Sequence, residues 1–449
     1  MIVKKELPVS IVAKVGAALQ GVLGPLAQEA ARDSGVIVRQ RKFSGLSLAR
    51  TFVLGFLHKP DATDEDLAQT AVQCGAAVTP QAVEQRHTPK LVAFLEALFR
   101  RASRVVVGSD QALAPILERF PSVTVLDSTT ITLPDSLRAS FPGCGGSHGG
   151  GAAAVKLQTE LDLRSGALSH IEIESGRSSD GGTVRQQVAR PAGSLRITDL
   201  GYFSVAVFAA LTAMGAYFLS RLHYKTGVRT RTGSKLDLLR WLSRQPAPLL
   251  DEPILLGPER LPCRLIAWRL PQGQADRRRQ KLRREMVSKE GREPTAERLA
   301  WCDWTMLLTN VPAAVLAARE AIVLYRARWQ VELLFKRWKS QDLVAVLSGS
   351  TDVRKMVRVW ARLLAALLQH WLVVAGAWGD PTRSWSKVAE AIRGFVGRLL
   401  AALDRPRTLA EVIDVLRQTV ARTCRRNPRT KPGTAELLID LSRLDFCLT

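Results

Sequence analysis

Three carboxylates stand out by where they sit. Asp127 lies in VTVLDSTTITL, an alternating, β-branched stretch that reads as a strand, and Asp199 closes LRITD just before the turn LGYFS. A carboxylate on an apolar strand is costly unless it is ion-paired or metal-bound. Glu332 belongs to a helical stretch in which Tyr325, Arg328, Glu332 and Lys339 stand at offsets of 0, 3, 7 and 14. At the helical period these fall within a sector of about 60°, and Ala327, Val331, Leu334 and Trp338 fill the opposite face. The helix therefore packs by one side and offers a phenol, a guanidinium, a carboxylate and an ammonium on the other. A solvated face with helix ion pairs would give the same stripe but leaves the two strand-borne aspartates unexplained. The matching chemistry is cutting and rejoining of a phosphodiester. It needs an activated nucleophile, charge stabilisation and a route for the leaving oxygen, which two Mg²⁺ ions on a few hard carboxylate oxygens can supply. With 41 acidic residues in the chain, only context selects these three.

The elements that must position them change texture along the chain. The first hundred residues read as helical: residues 7–31 are Ala-rich and apolar, and Ser44 is placed to cap a helix running to Leu57. Asp64 starts a helix that Gly75 ends, and Thr79-Pro80 and Thr88-Pro89 each combine an N-cap with a proline at the first helical position. Two short helices across a tight turn are a helix-turn-helix pattern, which would put Gln81, Gln85 and Arg86 near the start of the second helix; a plain helical hairpin has the same caps. From Val123 short strands follow, with AAVKLQTELDL and LSHIEIES as a hairpin across Arg164, Ser165 and Gly166. A polar helix DGGTVRQQVAR and the strand-and-turn SLRITDLGYF come next. That order is the mixed α/β opening expected of a ribonuclease-H-like core. The Gly-rich run 143–151 lacks a following Lys-Ser or Lys-Thr and a helix, and reads as a loop. Residues 227–312 carry candidate strands PILLG, CRLIAWRL and WTMLLTNV around a basic helix, and the pattern beyond Pro312 is helical.

Composition bounds the partners. With 64 Lys and Arg against 41 Asp and Glu, the formal net charge is +23, which points first to nucleic acid and then to an anionic membrane surface. Six of the eight residues 277–284 (RRRQKLRR) are basic, a DNA-backbone contact or else a solvated face, and residues 422–431 add a second basic patch. The six cysteines are scattered, which argues against zinc ribbons and disulfide frameworks and suits a reducing cytosol. The start MIVKKELPVS lacks a sustained apolar core, so no secretory signal is expected. Residues 202–219 are 18 without a charge, the lower edge for a membrane span, but the break at Gly215 favours a buried helix followed by a buried strand.

The pattern Tyr-x2-Arg-x3-Glu-x6-Lys resembles the signature of insertion-sequence-4-type DDE transposases, which form hairpins during cut-and-paste transposition. Asp127 in Asp-Ser-Thr and Asp199 in Asp-Leu-Gly-Tyr-Phe-Ser resemble that family's first and second acidic motifs. Their order agrees, as does the gap from Asp199 to Glu332, 332 − 199 = 133 residues. The resemblance covers roughly residues 120–345. It implies an α/β ribonuclease-H-like catalytic core (106–226 and 313–345) interrupted by a β-rich insertion domain (227–312). A helical end-binding domain (1–105) would precede the core and a helical C-terminal region (346–449) would follow. Asp127, Asp199 and Glu332 would be catalytic and hold two Mg²⁺ ions, with Mn²⁺ able to substitute. Tyr325, Arg328, Lys339 and Arg221 would bind DNA phosphates, Arg328 by a bidentate fork. Trp304, or Trp301 in its place, would stack on a flipped base; Gln81, Gln85 and Arg86 would read the DNA end. The implied partners are double-stranded inverted repeats and target DNA, bound by a dimer in a synaptic complex, with no membrane, in the bacterial cytoplasm at the nucleoid. A catalytically silent DNA-binding regulator and a ribonuclease-H-like nuclease without strand transfer are the alternatives.

Overall fold

The computed structural model describes residues 10–39, 41–144, 153–339, 351–428 and 432–444. Most of the loop 143–151, part of the basic segment 422–431, and Cys447 lie outside them. Helices α1 (Ile11–Gly21) and α2 (Ala27–Asp33) are joined by one π-helical turn that holds Pro25, where a residue without an N–H interrupts the ladder. Then come α3 (Gly45–His58), α4 (Asp64–Gln73), α5 (Pro80–Glu84) and α6 (Pro89–Ala102), whose N-caps are Ser44, Thr63, Thr79 and Thr88. Each hydroxyl accepts from an otherwise unpaired backbone N–H, which is why these short polar residues mark the helix starts. The short α7 (Pro115–Glu118) leads into β1 (Val123–Thr132), the hairpin β2 (Ala154–Asp162) and β3 (Leu168–Ser175), and β4 (Leu195–Thr198).

Next are α8 (Val205–Ala213), β5 (Tyr217–Arg221), β6 (Val228–Arg229), α9 (Leu238–Ser243), β7 (Leu249–Leu256) and β8 (Leu261–Arg269). The basic run forms α10 (Gln272–Glu290), followed by α11 (Ala296–Ala300), β9 (Trp304–Thr309), α12 (Ala318–Arg326) and α13 (Trp329–Trp338). The chain continues through α14 (Asp352–Ala377), α15 (Trp385–Ala402), α16 (Pro406–Thr423) and α17 (Thr434–Ile439). The chain is thus mixed α/β, with helical regions toward both ends.

It divides into two compact units, Met1–Leu113 with Ser128–Ser178 and Gln330–Pro428, and Ala114–Asp127 with Ser179–Trp329 and Arg429–Thr449. In the first unit α14 packs on α3, α6, α15 and α16. Trp360 of α14 lies 5.9 Å from Phe99, ring centre to ring centre. The β2–β3 hairpin turns at Gly166, whose φ of 74° an L side chain rarely adopts. The Gly166 carbonyl meets Nε2 of buried His370 at 2.7 Å, and the Trp378 Nε1–H donates to the Leu163 carbonyl at 3.2 Å. Residues 11–33 and 352–377 are long and apolar enough to cross a membrane, but 94% of the second stretch's apolar window is buried in protein.

In the second unit the strands lie in the order β1-β4-β5-β9-β8-β7-β6. β1, β4 and β5 run parallel, and each later neighbour is antiparallel. Its core gathers Phe208, stacked on Phe218 at 4.4 Å, with Leu242, Leu256, Leu265, Met306 and Leu308. Residues 202–219 resolve into α8 and the start of β5, a helix and then a strand as the break at Gly215 suggests.

Two local expectations change. The segment 180–190 is not an α-helix but two 3₁₀ turns, Asp180–Gly182 and Val184–Gln187. The Ser179 and Thr183 hydroxyls cap these turns, and buried Arg196 takes the carbonyls of Arg185 and Gln186 that a helix would have used. The stretch from Tyr325 to Lys339 is two helices, since α12 ends at Arg326 and α13 begins at Trp329. Arg328 sits in the turn between them. The apolar face survives the break: Ala327, Val331, Leu334 and Trp338 are all buried.

Candidate active site

Strand register does the first positioning. Leu126 pairs with Thr198, and Thr198 with Ser220. The next residues in the chain are Asp127 within β1, Asp199 just past the end of β4 and Arg221 at the end of β5, so all three directly follow paired positions of neighbouring strands, which lie about 4.8 Å apart. Continuous burial breaks at the same point. β1 is buried from Val123 to Leu126 and half-buried at Asp127, and β4 is buried throughout.

Asp127 meets the cost of its apolar strand by ion pairing. Its Oδ2 accepts from the Arg328 guanidinium at 3.2 Å, the two side chains being 14% and 12% exposed. Asp199 caps the turn that follows it, its Oδ1 accepting from the Gly201 N–H at 2.8 Å. A Cβ on Gly201 would lie 3.2 Å from that Oδ1 and 3.3 Å from Asp180 Oδ2, so only glycine fits comfortably beneath the two carboxylates. The sequence reading did not select Asp180, since a carboxylate in a polar, glycine-rich segment carries no signal of its own.

A cleft of about 320 Å³ in this unit is lined by Arg221, Trp268, Arg278, Thr305, Tyr325 and Arg328, among others. Burial raises the Tyr325 phenol, Asp199 adds to the rise and Arg221 and Arg328 oppose it, leaving it at about 12. The phenol therefore stays protonated near neutral pH and can donate to an anion. Among the described residues lining the cleft there is no carboxylate. A recess with several guanidiniums, a protonated phenol and no acid of its own suits a phosphate oxygen.

The expected residues fall into groups. Asp127, Asp199, Arg221, Tyr325, Arg328 and Trp304 belong to the second unit. Glu332, on the first turn of α13 where a helix N-terminus favours a carboxylate, and exposed Lys339 belong to the first. Gln81 is exposed on α5, Gln85 is exposed as its C-cap, and Arg86 lies over the Phe43 ring at 5.4 Å. With five residues, α5 is little more than one turn. Trp304 is only 5% exposed, packed in the core with the Arg269 guanidinium 4.9 Å from its ring centre. Trp301 is half-buried against Tyr224. The tryptophans that line the cleft are Trp268 of β8 and Trp329, which is 49% exposed. Sequence reading missed both: Trp268 lies in an apolar strand, and the helical phase drew attention to Arg328 beside Trp329.

Among the described residues no three His, Cys, Asp or Glu side chains cluster as a metal site. The donor chemistry nevertheless suits a hard divalent ion, because one carboxylate lies within β1 and the other directly follows β4, its parallel neighbour.

Carboxylates next to paired strand positions, with a cationic recess in the same unit, are the groups a phosphoryl-transfer centre would use on a polyanion. Comparison with known proteins narrows it. Residues 118–370 match the family model described as the transposase DDE domain. The chain is 26% identical over 366 residues to the transposase for insertion sequence element IS231B of Bacillus thuringiensis subsp. berliner, covering 76% of this chain and 75% of that one. It is 25% identical over 372 residues to the transposase for element IS1151 of Clostridium perfringens, covering 76% of each. The chain belongs to the DDE transposase family, the DNA-cleaving and strand-transferring enzymes of insertion sequences. The family's chemistry uses divalent metal ions and its partner is DNA.

Proposed function

We propose that this transposase moves its element by a cut-and-paste route. Water cuts one strand at the element's end, and the freed 3′-hydroxyl attacks the opposite strand to form a hairpin. The hairpin is opened by a second hydrolysis, and the 3′-hydroxyl then attacks a phosphodiester of target DNA. Asp127, Asp199 and Glu332 would hold two Mg²⁺ ions, or Mn²⁺ in their place. When bound, such ions lower the pKa of the attacking hydroxyl and offset charge on the leaving oxygen. Tyr325, Arg328, Arg221 and Lys339 would bind and orient the phosphates of the element's end, Tyr325 as a neutral donor and Arg328 as a fork.

The observation that carries this reading is that Asp127, Asp199 and Arg221 directly follow Leu126, Thr198 and Ser220, paired positions of three parallel strands, in the unit that also bears the Tyr325–Arg328 cleft. The parallel run β1-β4-β5 supports a ribonuclease-H-like core over 106–226 and 313–345. Residues 227–312 would form the insertion, its strands extending the sheet through the antiparallel β5–β9 pair. Residues 1–105 would read the element's ends through Gln81, Gln85 and Arg86, and 346–449 would complete the helical part. Two ends must be brought together, so a DNA-assembled dimer in the bacterial cytoplasm, at the nucleoid, is the natural working form.

Asp199→Asn and Glu332→Gln should each abolish Mg²⁺-dependent nicking of a duplex carrying the terminal inverted repeat, with binding retained. Normal nicking by either variant removes that residue from the mechanism. For the hairpin step, stacking by Trp304 requires its ring to leave the core, whereas Trp329 already faces the cleft. Trp329→Ala and Trp304→Phe, assayed for hairpin formation against first-strand nicking, decide between them. If hairpins form normally in both, neither stacks on a base.

A further inference from the structure

The basic run RRRQKLRR was legible only as a patch of charge, and the structure divides it. Within α10, Arg279 is satisfied, donating to Asp276 and Asp303 and so tying the helix to the turn Trp301–Asp303. Arg277, Lys281 and Arg284 stand at i, i+4 and i+7 as an exposed stripe. Arg278 does neither. It turns inward with Gln274 to line the cleft that also holds Arg221, Tyr325 and Arg328.

Its surroundings are unusual for a half-buried cation. Its Nη1 donates to the Trp304 carbonyl at 3.3 Å. Among the described residues no carboxylate pairs with it, and none pairs with Arg221. Burial depresses the Arg278 guanidinium below its ordinary value, and the like charge of Arg221 depresses it further. Two guanidiniums held in one recess, neither of them ion-paired to a carboxylate, are unfavourable until an anion arrives, when both become charge-assisted donors. Arg328 differs, because in this structure it is committed to Asp127.

We propose that Arg278, presented by α10, joins Arg221 in gripping a backbone phosphate of the DNA strand that enters the cleft. The outer stripe Arg277-Lys281-Arg284 continues the contact along that strand. The inference rests on the transposase reading and adds to it a binding residue outside the family signature. It also explains why a long basic helix is pinned beside the strand ends by Arg279. A backbone phosphate fits better than free phosphate, since the cationic surface runs on from the recess along α10.

The test uses the full chain and a duplex carrying the terminal inverted repeat found beside the gene. Arg278→Ala should weaken binding about tenfold or more and lower the slope of log affinity against log salt by about one. Arg278→Lys should keep the slope and lose part of the affinity, as a point charge without the fork. A scan with single methylphosphonate linkages should find one position where neutralising the phosphate weakens the wild type clearly more than Arg278→Ala, in which only Arg221 still grips it. An excess of inorganic phosphate should not reproduce the effect at matched ionic strength. Unchanged affinity and slope in Arg278→Ala, or equal losses at every methylphosphonate position in a protein that melts like wild type, would overturn the proposal. Competition by inorganic phosphate as strong as by DNA would assign the site to the free ion instead. Asp127→Asn run in parallel keeps the two readings apart: normal cleavage by that variant sinks the catalytic assignment and leaves the Arg278 result to be judged by binding alone.

Discussion

Replacing Asp127 by Asn changes almost no volume and removes one negative charge opposite Arg328. At 3.2 Å the Coulomb attraction is about 5 kcal/mol gross at an effective dielectric near 20. Desolvation of two side chains only 14% and 12% exposed offsets much of it, so the net loss of stability should be about 1–3 kcal/mol. That is a modest part of the roughly 5–15 kcal/mol that holds a typical domain folded, so the variant should fold. Cleavage should suffer far more, because losing a ligand to the metals removes several kcal/mol of charge stabilisation. A fall of about a thousandfold or more is expected. DNA binding should move the other way: with the carboxylate gone, Arg328 loses its ion pair to Asp127 and one charge that repels phosphate has left the site. The assay is nicking of the terminal-repeat duplex in Mg²⁺, with gel-shift affinity and thermal unfolding on the same preparation. Cleavage within threefold of wild type would refute the catalytic assignment, and clearly weaker binding by a folded variant would refute the description of Arg328 as held in reserve by Asp127.

Two further predictions concern the first unit. Gly166→Ala forces a Cβ onto a residue with φ of 74° and against the Trp378 indole. It should destabilise by about 2–4 kcal/mol, read as a shift in the denaturant midpoint; an unchanged midpoint would mean the hairpin turn relaxes freely. Fully buried His370 is depressed to about 4 by desolvation, so the folded state keeps it neutral where an unfolded chain would protonate it. Stability is then fully present above pH about 6.5 and falls toward pH about 4, with a total on the order of 3 kcal/mol. Unfolding titrations at pH 7 and pH 5 on wild type and His370→Gln should show that component only in the wild type; equal pH dependence in both would assign it to other groups.

Much of the fold was legible where the signal is local. Ser44, Thr79 and Thr88 mark helix starts because a short hydroxyl side chain can accept from an orphan N–H within three residues. Gly166 and Gly215 mark turns because their positive φ suits a residue without a Cβ. Where long-range partners compete, local pattern misled. The polar stretch 180–190 lost its helix to Arg196, a residue on another element, and the phase of Tyr325 to Lys339 ran across a turn that no proline or glycine announces.

The site divides in the same way. The sequence by itself determined which residue types stand at which spacing, and an aspartate within one apolar strand and another at the end of a second were enough to single them out, because uncompensated charge there is costly. Only the tertiary structure decided the neighbours. Register set Arg221 beside Asp199 and Asp199 beside Asp127, and it turned Trp304 into the core while Trp268 and Trp329 line the cleft. It also separated Arg278 from Arg279, two identical residues in one charge run. Side-chain direction along a strand reverses with each residue, and around a helix it turns by about 100°. Neighbouring positions that look alike in sequence therefore meet different partners once the chain has folded.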